Sequence, residues 1–162
     1  MPRLALPSDI EQVHRIYMDA SVIPWLSHDA MDLDAFRPIF AKLLASENFF
    51  IEERNGAVAG FYKVTRYEGR ASHVAELGSL AVHPDQQGNG LAREMIAAAL
   101  ARLKAEGVIR VQLFVEPENA RGIAFYERMG FHQEAVLRRA YRRAGEATEI
   151  DDILMVRFLD EA

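Results

Sequence analysis

The sequence contains no cysteine. Disulfides, thiolate metal sites and a cysteine nucleophile are thereby excluded, and the chain is indifferent to the redox state of its surroundings. It also lacks a basic excess, since 19 Lys and Arg stand against 24 Asp and Glu for a formal net charge of −5. Without an overall basic field, neither nucleic acid nor an anionic membrane is an expected partner. No apolar run approaches the roughly 18 residues of a membrane span, and the opening MPRLALPSDIEQ has no apolar leader core. A soluble, untargeted, cytoplasmic chain is the expectation. The five histidines show no H-x-x-x-H or similar spacing, so no metal is expected. Repeats, linkers and low-complexity segments are missing too, and half of the 162 residues are hydrophobic, which predicts a single domain over 1–162.

What is present reads as a mixed α+β pattern. A short strand over Arg3–Leu6 precedes a helix over Asp9–Ser21, introduced by a capping box of Ser8 and Glu11. The segment SVIPWLSHDAMD, with Pro24, reads as a loop presenting Trp25, and a second helix follows over Asp34–Ala45. Asn55-Gly56 between Phe49–Arg54 and Ala57–Tyr67 predicts a hairpin, because this pair accepts the positive φ angles of a type I′ turn. A third strand over Ser72–Val82 completes a meander. The apolar face Ala92, Met95, Ile96, Ala99 and Leu103 then marks a helix ended by Gly107. Strand Val108–Val115 should pair in parallel after this crossover. A helix over Glu118–Met129 capped by Gly130 follows, then two closing strands, Phe131–Arg139 and Glu149–Phe158, joined around Ala144-Gly145.

The densest chemical signal is HPDQQGNGLAR, residues 83–93, set between a strand and a helix. A dinucleotide fingerprint needs a third glycine where Arg93 stands, and a Walker A loop needs four residues between its glycines where only Asn89 separates Gly88 from Gly90. Small residues at 88, 90 and 92 let successive amides curl around an anion at a helix N-terminus, with Arg93 adding charge. The same glycines would also serve a turn that only caps the helix.

Gln87-Gly88-Asn89-Gly90-Leu91-Ala92 resembles the Q/R-x-x-G-x-G/A pattern of the GCN5-related N-acetyltransferases, and NARGIAFYERMGF resembles the family's second motif, with small residues at Ala120 and Ala124. The resemblance implies a mixed, mostly antiparallel sheet of about seven strands with a central splayed parallel pair, flanked by about four helices. It implies acetyl-CoA as co-substrate, its pyrophosphate on residues Gln87 to Arg93. The amides of Leu80, Ala81 and Val82 would face the pantetheine and the acetyl carbonyl, in the manner of an oxyanion hole. A bulge at Gly78-Ser79 would open the strands. By the same resemblance Asn119 contacts the cofactor arm and the Tyr126 hydroxyl is the acid for the departing thiolate. Helical spacing alone would equally make Tyr126 a core residue.

Glu76 is an acidic residue within an otherwise apolar strand, which makes it a candidate general base as well as a candidate solvent-facing residue. The implied reaction is direct attack of an unprotonated amine, with no covalent enzyme intermediate. Deprotonating an α-amine at pH 7 costs roughly 1 kcal/mol, against roughly 4–5 for a lysine, so a small amine needs less help from a base. Several segments are similar to bacterial L-amino-acid N-acetyltransferases, which implies a small-molecule amine acceptor and places selectivity at Trp25, Tyr62, Tyr67, Glu76 and Tyr141. The alternatives are a protein N-terminus or lysine as acceptor, or a catalytically silent acetyl-CoA sensor; a second copy of the chain is a candidate partner. RRAYRR, with Arg138, Arg139, Arg142 and Arg143, reads as a solvated turn or as a guide for an acidic ligand.

Overall fold

A computed structural model describes residues 1–161. The strands are β1 (Arg3–Leu4), β2 (Phe49–Arg54), β3 (Ala57–Arg66), β4 (Val74–Val82), β5 (Arg110–Val115), β6 (His132–Tyr141) and β7 (Ile150–Phe158). The α-helices are α1 (Ile10–Tyr17), α2 (Leu33–Ala45), α3 (Leu91–Ala105) and α4 (Ala120–Arg128). All seven strands join one sheet in the order β1-β2-β3-β4-β5-β7-β6, with β4 and β5 parallel. This is the mixed α+β architecture that the sequence predicts.

The chain divides into two compact units, Met1–Thr65 with Leu77–Ala99, and Arg66–Glu76 with the residues from Leu100 onward. The first unit is built on rings. Tyr17 of α1 and Phe36 and Phe40 of α2 pack with Phe49 and Phe61 of β2 and β3, and the centroids of Phe49 and Phe61 are 5.3 Å apart. The hairpin turn is as predicted, with φ of 53° at Asn55 and 77° at Gly56. The second unit is built on ladders, with β7 pairing antiparallel to β5 from Arg110↔Phe158 to Val115↔Ile153 and β6 pairing to the other edge of β7.

Of the element boundaries that depart from expectation, among them the end of α1 at Tyr17 rather than Ser21, three have a local reason. Ser8 and Glu11 do not cap α1; a 3-10 turn over Pro7–Asp9 precedes the helix, and the Asp9 carboxylate accepts from the Leu6 amide at 2.7 Å and from Arg3 at 2.8 and 3.0 Å. Burial alone would raise the Asp9 carboxyl, but these bonds hold it below the usual carboxylate range. Strand β5 begins at Arg110 rather than Val108. Val108 still donates to Leu103 of α3, and both Ile109 and Arg110 donate to the His73 carbonyl, so the chain is leaving a helix there. Strand β1 ends at Leu4, before the Pro7 turn.

Candidate active site

Within the first unit the candidate residues lie on the end of β4, the loop that follows it and the start of α3. His83 donates its backbone N–H to Ala59 of β3 at 2.8 Å. Backbone groups alternate along an extended strand, so Ala81 faces β3 as well, and its carbonyl lies 2.8 Å from where a Cβ of Gly60 would be. Leu80 and Val82 consequently point their amides away from β3. The Val82 carbonyl on that side accepts from the Gln87 side chain at 3.2 Å. Gln87 therefore anchors the loop to its own strand. Ala81, expected among the cofactor-facing residues, is 5 % exposed and presents its backbone to the sheet.

Ser79, where the bulge in β4 is expected, takes a φ of 50°, in the left-handed region. Pairing of β4 with β5 covers only Val74↔Arg110, Ala75↔Val111 and Glu76↔Gln112. The parallel ladder thus ends at Glu76, before the left-handed backbone at Ser79.

After β4 a 3-10 turn over Pro84–Gln86 is capped by the His83 ring, which accepts from the Asp85 amide at 3.1 Å. Gly88 and Gly90 then take φ of 78° and 82°, with no atom within 4 Å of where a Cβ would stand, so the backbone conformation and not crowding selects glycine there. The first helical bond of α3 runs from the Glu94 amide to the Gly90 carbonyl at 3.1 Å. The amides of Leu91, Ala92 and Arg93 are the orphan donors of the helix start, at its positive dipole end. Gly88, Asn89, Gly90 and Arg93 line the surface of the loop, whereas Leu91 is buried beneath them as an anchor. The glycine conformations and the helix start directly after them are what the spacing of the small residues predicts.

The second unit carries the remaining polar candidates. Glu76 of β4 accepts from the Tyr67 hydroxyl at 2.8 Å and from Gln112 of β5 at 3.3 Å, both at Oε2. Tyr126 of α4 is partly exposed as a whole side chain, yet burial pushes its hydroxyl up to about 12. It stays protonated through the neutral range, which is the state a proton donor needs. Its ring packs edge-on to Phe125 and Phe131, with centroids at 5.2 and 5.9 Å, so core packing and an acid's role are compatible.

Asn119 has a structural duty that the sequence does not announce. Its Oδ1 accepts from the Gly122 amide at 2.9 Å and caps α4. Gly122 is required for this: a Cβ there would fall 2.6 Å from Asn119 Nδ2. Its Nδ2 amide remains as a donor for a ligand.

The expected selectivity residues are scattered in character. Trp25 sits on a 3-10 turn over Ile23–Trp25 and is 47 % exposed, as a presenting loop requires. Tyr62 is 1 % exposed and stacks on Phe50 at 5.2 Å, so the structure gives it to the core and not to an accessible wall. Tyr141 hydrogen-bonds through its hydroxyl to Glu116 and lies under Arg143, 5.8 Å from the guanidinium. Burial and the Glu116 carboxylate together push the Tyr141 hydroxyl far above its ordinary value.

That last group belongs to a polar cluster that sequence reading missed. Glu116, just past β5, is buried, and both its carboxylate oxygens accept from Arg143 Nη2, at 2.5 and 2.6 Å. Continuing the β5–β7 register places Asp152 opposite Glu116. Burial, and then the charge of Glu116, push the Asp152 carboxyl up to about 6. Two of the arginines of RRAYRR are thereby spoken for, Arg143 by Glu116 and Glu146 and Arg142 by Glu149. The only advance signal was a glutamate directly after the apolar run VQLFV. Among the described residues no three histidine, aspartate or glutamate side chains converge as metal ligands would, and no helix is long and apolar enough to cross a membrane.

The model of the acetyltransferase (GNAT) family matches residues 10–131, three quarters of the chain, and the chain belongs to that family. Among its curated relatives is the mycothiol acetyltransferase of Thermobispora bispora, 36 % identical over 86 residues, which are 51 % of this chain and 29 % of that one. The chain thus spans under a third of the length of the curated relatives it matches. Among solved structures, the ribosomal-protein-S18-alanine N-acetyltransferase from Escherichia coli superimposes with a TM-score of 0.77 at 23 % identity, over 100 % of this chain and 95 % of that one. The structure of yncA from Salmonella typhimurium, solved with its cofactor acetyl-CoA, has the same score, identity and coverage. At these identities the superpositions speak for the fold alone.

Proposed function

We propose that this chain moves the acetyl group of acetyl-CoA to a primary amine, and that the acceptor is a small molecule such as an amino acid. The observation that carries this reading is the end of β4: outward amides at Leu80 and Val82, running into a glycine loop that holds three further amides at the start of α3. Acetyl-CoA supplies an activated thioester when bound. Gln87 to Arg93 hold its diphosphate, with glycines admitting the close approach and Arg93 adding charge. The Leu80 and Val82 amides hold the acetyl carbonyl oxygen. Glu76 takes the proton from the attacking amine, and Tyr126, kept protonated by its burial, returns one to the thiolate. With Asn119 Oδ1 engaged by its helix, Nδ2 is the donor that it offers the cofactor.

Curated relatives named as mycothiol acetyltransferases support a small acceptor, as does exposed Trp25. The test is release of free thiol from acetyl-CoA against a panel of amino acids, polyamines, aminoglycosides and peptides with free N-termini. Turnover with an amino acid supports the proposal, and preference for the peptides moves the acceptor to a protein. Acetyl-CoA binding by calorimetry with no thiol release from any amine would instead define a sensor.

A further inference from the structure

Glu76 does not stand alone on its face of the sheet. Alternation along β4 buries Ala75 and Leu77 and turns Glu76 to the opposite side, where the parallel register sets Gln112 of β5 directly beside it. The Tyr67 hydroxyl donates to Glu76 Oε2 at 2.8 Å, Gln112 Nε2 donates to that same oxygen at 3.3 Å, and Gln112 Nε2 also lies 3.4 Å from the Tyr67 oxygen. Two donors from different segments therefore close on one carboxylate oxygen. Among the described residues nothing donates to Oε1.

The orientation of Gln112 is itself determined. Arg110 Nε donates to Gln112 Oε1 at 3.3 Å, so the amide cannot be turned without setting its NH2 against a guanidinium. Arg110 in turn is held by both oxygens of Glu134 on β6, at 3.1 and 2.5 Å. A chain of contacts thus runs from Glu134 through Arg110 and Gln112 to Glu76 and Tyr67. The titratable groups around Glu76 are Tyr67 and, through Gln112, the Arg110–Glu134 pair with His132 beyond it.

We propose that Tyr67 and Gln112 are positioning residues that clamp the Glu76 carboxylate at Oε2, so that Oε1 is the atom that receives the amine proton, directly or through one water. The inference rests on the acetyl-transfer reading above. The proton leaves the amine nitrogen, resides on Oε1 and passes to solvent, while the nitrogen lone pair forms the bond to the acetyl carbon. The clamp is needed because the terminal torsion of a glutamate is broad, and an unclamped carboxylate spends its time in orientations that miss the amine. Tyr67 suits the task. Its bond to Glu76 raises its hydroxyl above the ordinary value, which keeps it a donor across the working range.

The experiment measures kcat, the KM for the amine and the KM for acetyl-CoA in wild type, Glu76→Gln, Tyr67→Phe, Gln112→Leu and the double variants that combine Glu76→Gln with each of the other two. Glu76→Gln should lose about 100-fold in kcat. Tyr67→Phe should lose about 10-fold in kcat with acetyl-CoA KM unchanged, and adding it to Glu76→Gln should cost nothing further, because no base is left to position. Gln112→Leu should behave the same way to a smaller extent, and it carries the test should Tyr67→Phe fail to fold in a thermal melt. Full kcat in the folded variants, or losses that add in full to that of Glu76→Gln, overturn the clamp. Wild-type kcat in Glu76→Gln also overturns it and leaves acetyl transfer standing, whereas wild type that releases no thiol with any amine takes down both.

Discussion

The two units of this chain carry their candidate functional groups on different parts of the polypeptide. In the first, the candidate groups are peptide amides: Leu80 and Val82 on a strand edge, and Leu91, Ala92 and Arg93 at a helix start, with the side chains behind them supplying shape. In the second, they are side chains tied to one another, Tyr67, Glu76 and Gln112 in one group and Glu116, Tyr141, Arg143 and Asp152 in another. Backbone donors are the same in every residue and must be placed by conformation, which glycines permit. Side-chain networks are placed by register and packing.

The contrast yields ordered predictions. The largest effect is on catalysis: Tyr126→Phe should lower kcat about 100-fold with acetyl-CoA affinity nearly intact, as measured by thiol release and calorimetry, since it removes a proton donor and no diphosphate contact. Next, Gly60→Ala should destabilise the fold by about 1–3 kcal/mol in a denaturant melt, because its Cβ would lie 2.8 Å from the Ala81 carbonyl and 2.9 Å from Met95 Sδ. A Gly90→Ala change meets no neighbour and should cost only about 1 kcal/mol for its φ of 82°, while weakening acetyl-CoA binding. If Gly90→Ala proved the more destabilising of the two, crowding would not be what distinguishes these glycines.

Asp152 gives a pH test of the side-chain unit. Its carboxyl titrates near 6 in the folded protein against 3.8 as the ordinary value, so ionisation opposes folding. That penalty is absent below about pH 4, grows as pH rises toward 6 and is constant above. Asp152→Asn should therefore stabilise the protein at pH 7 by about 1 kcal/mol, the group being half open to screening water, and the gain should vanish near pH 4 in paired thermal melts. The smallest effect belongs to Trp25→Ala, which should leave stability within about 0.5 kcal/mol because the ring is 47 % exposed. Its readout is the KM for the amine.

Legibility followed the same division. The glycine loop was readable because its conformational demand leaves few residue choices: Gly88 and Gly90 stand in the sequence as the φ angles that they adopt. The hairpin at Asn55-Gly56, and the helices whose apolar faces recur at helical spacing, were readable for the same reason. Glu76 stood out as a charge within an apolar strand. Its partners did not, because Tyr67 and Gln112 lie 9 and 36 residues away and meet it only through the register of the parallel pair. Tyr62 misled by its identity, since an aromatic on a hairpin faces a ligand or a core according to packing that no local pattern encodes. The capping role of Asn119 and the need for Gly122 were hidden because a cap is a matter of where the helix starts.

By itself the sequence determined the family, the class of fold and the conformation of the glycine loop, all of which rest on short-range constraints: torsion angles that few residues tolerate, and periodicities that one strand or helix imposes. Only the tertiary structure decided which oxygen of Glu76 is left free, which of Tyr62 and Tyr67 can be reached, and that Glu116 and Asp152 confront each other. Those outcomes depend on strand register, and one residue of slip would have turned every one of these side chains to the other face.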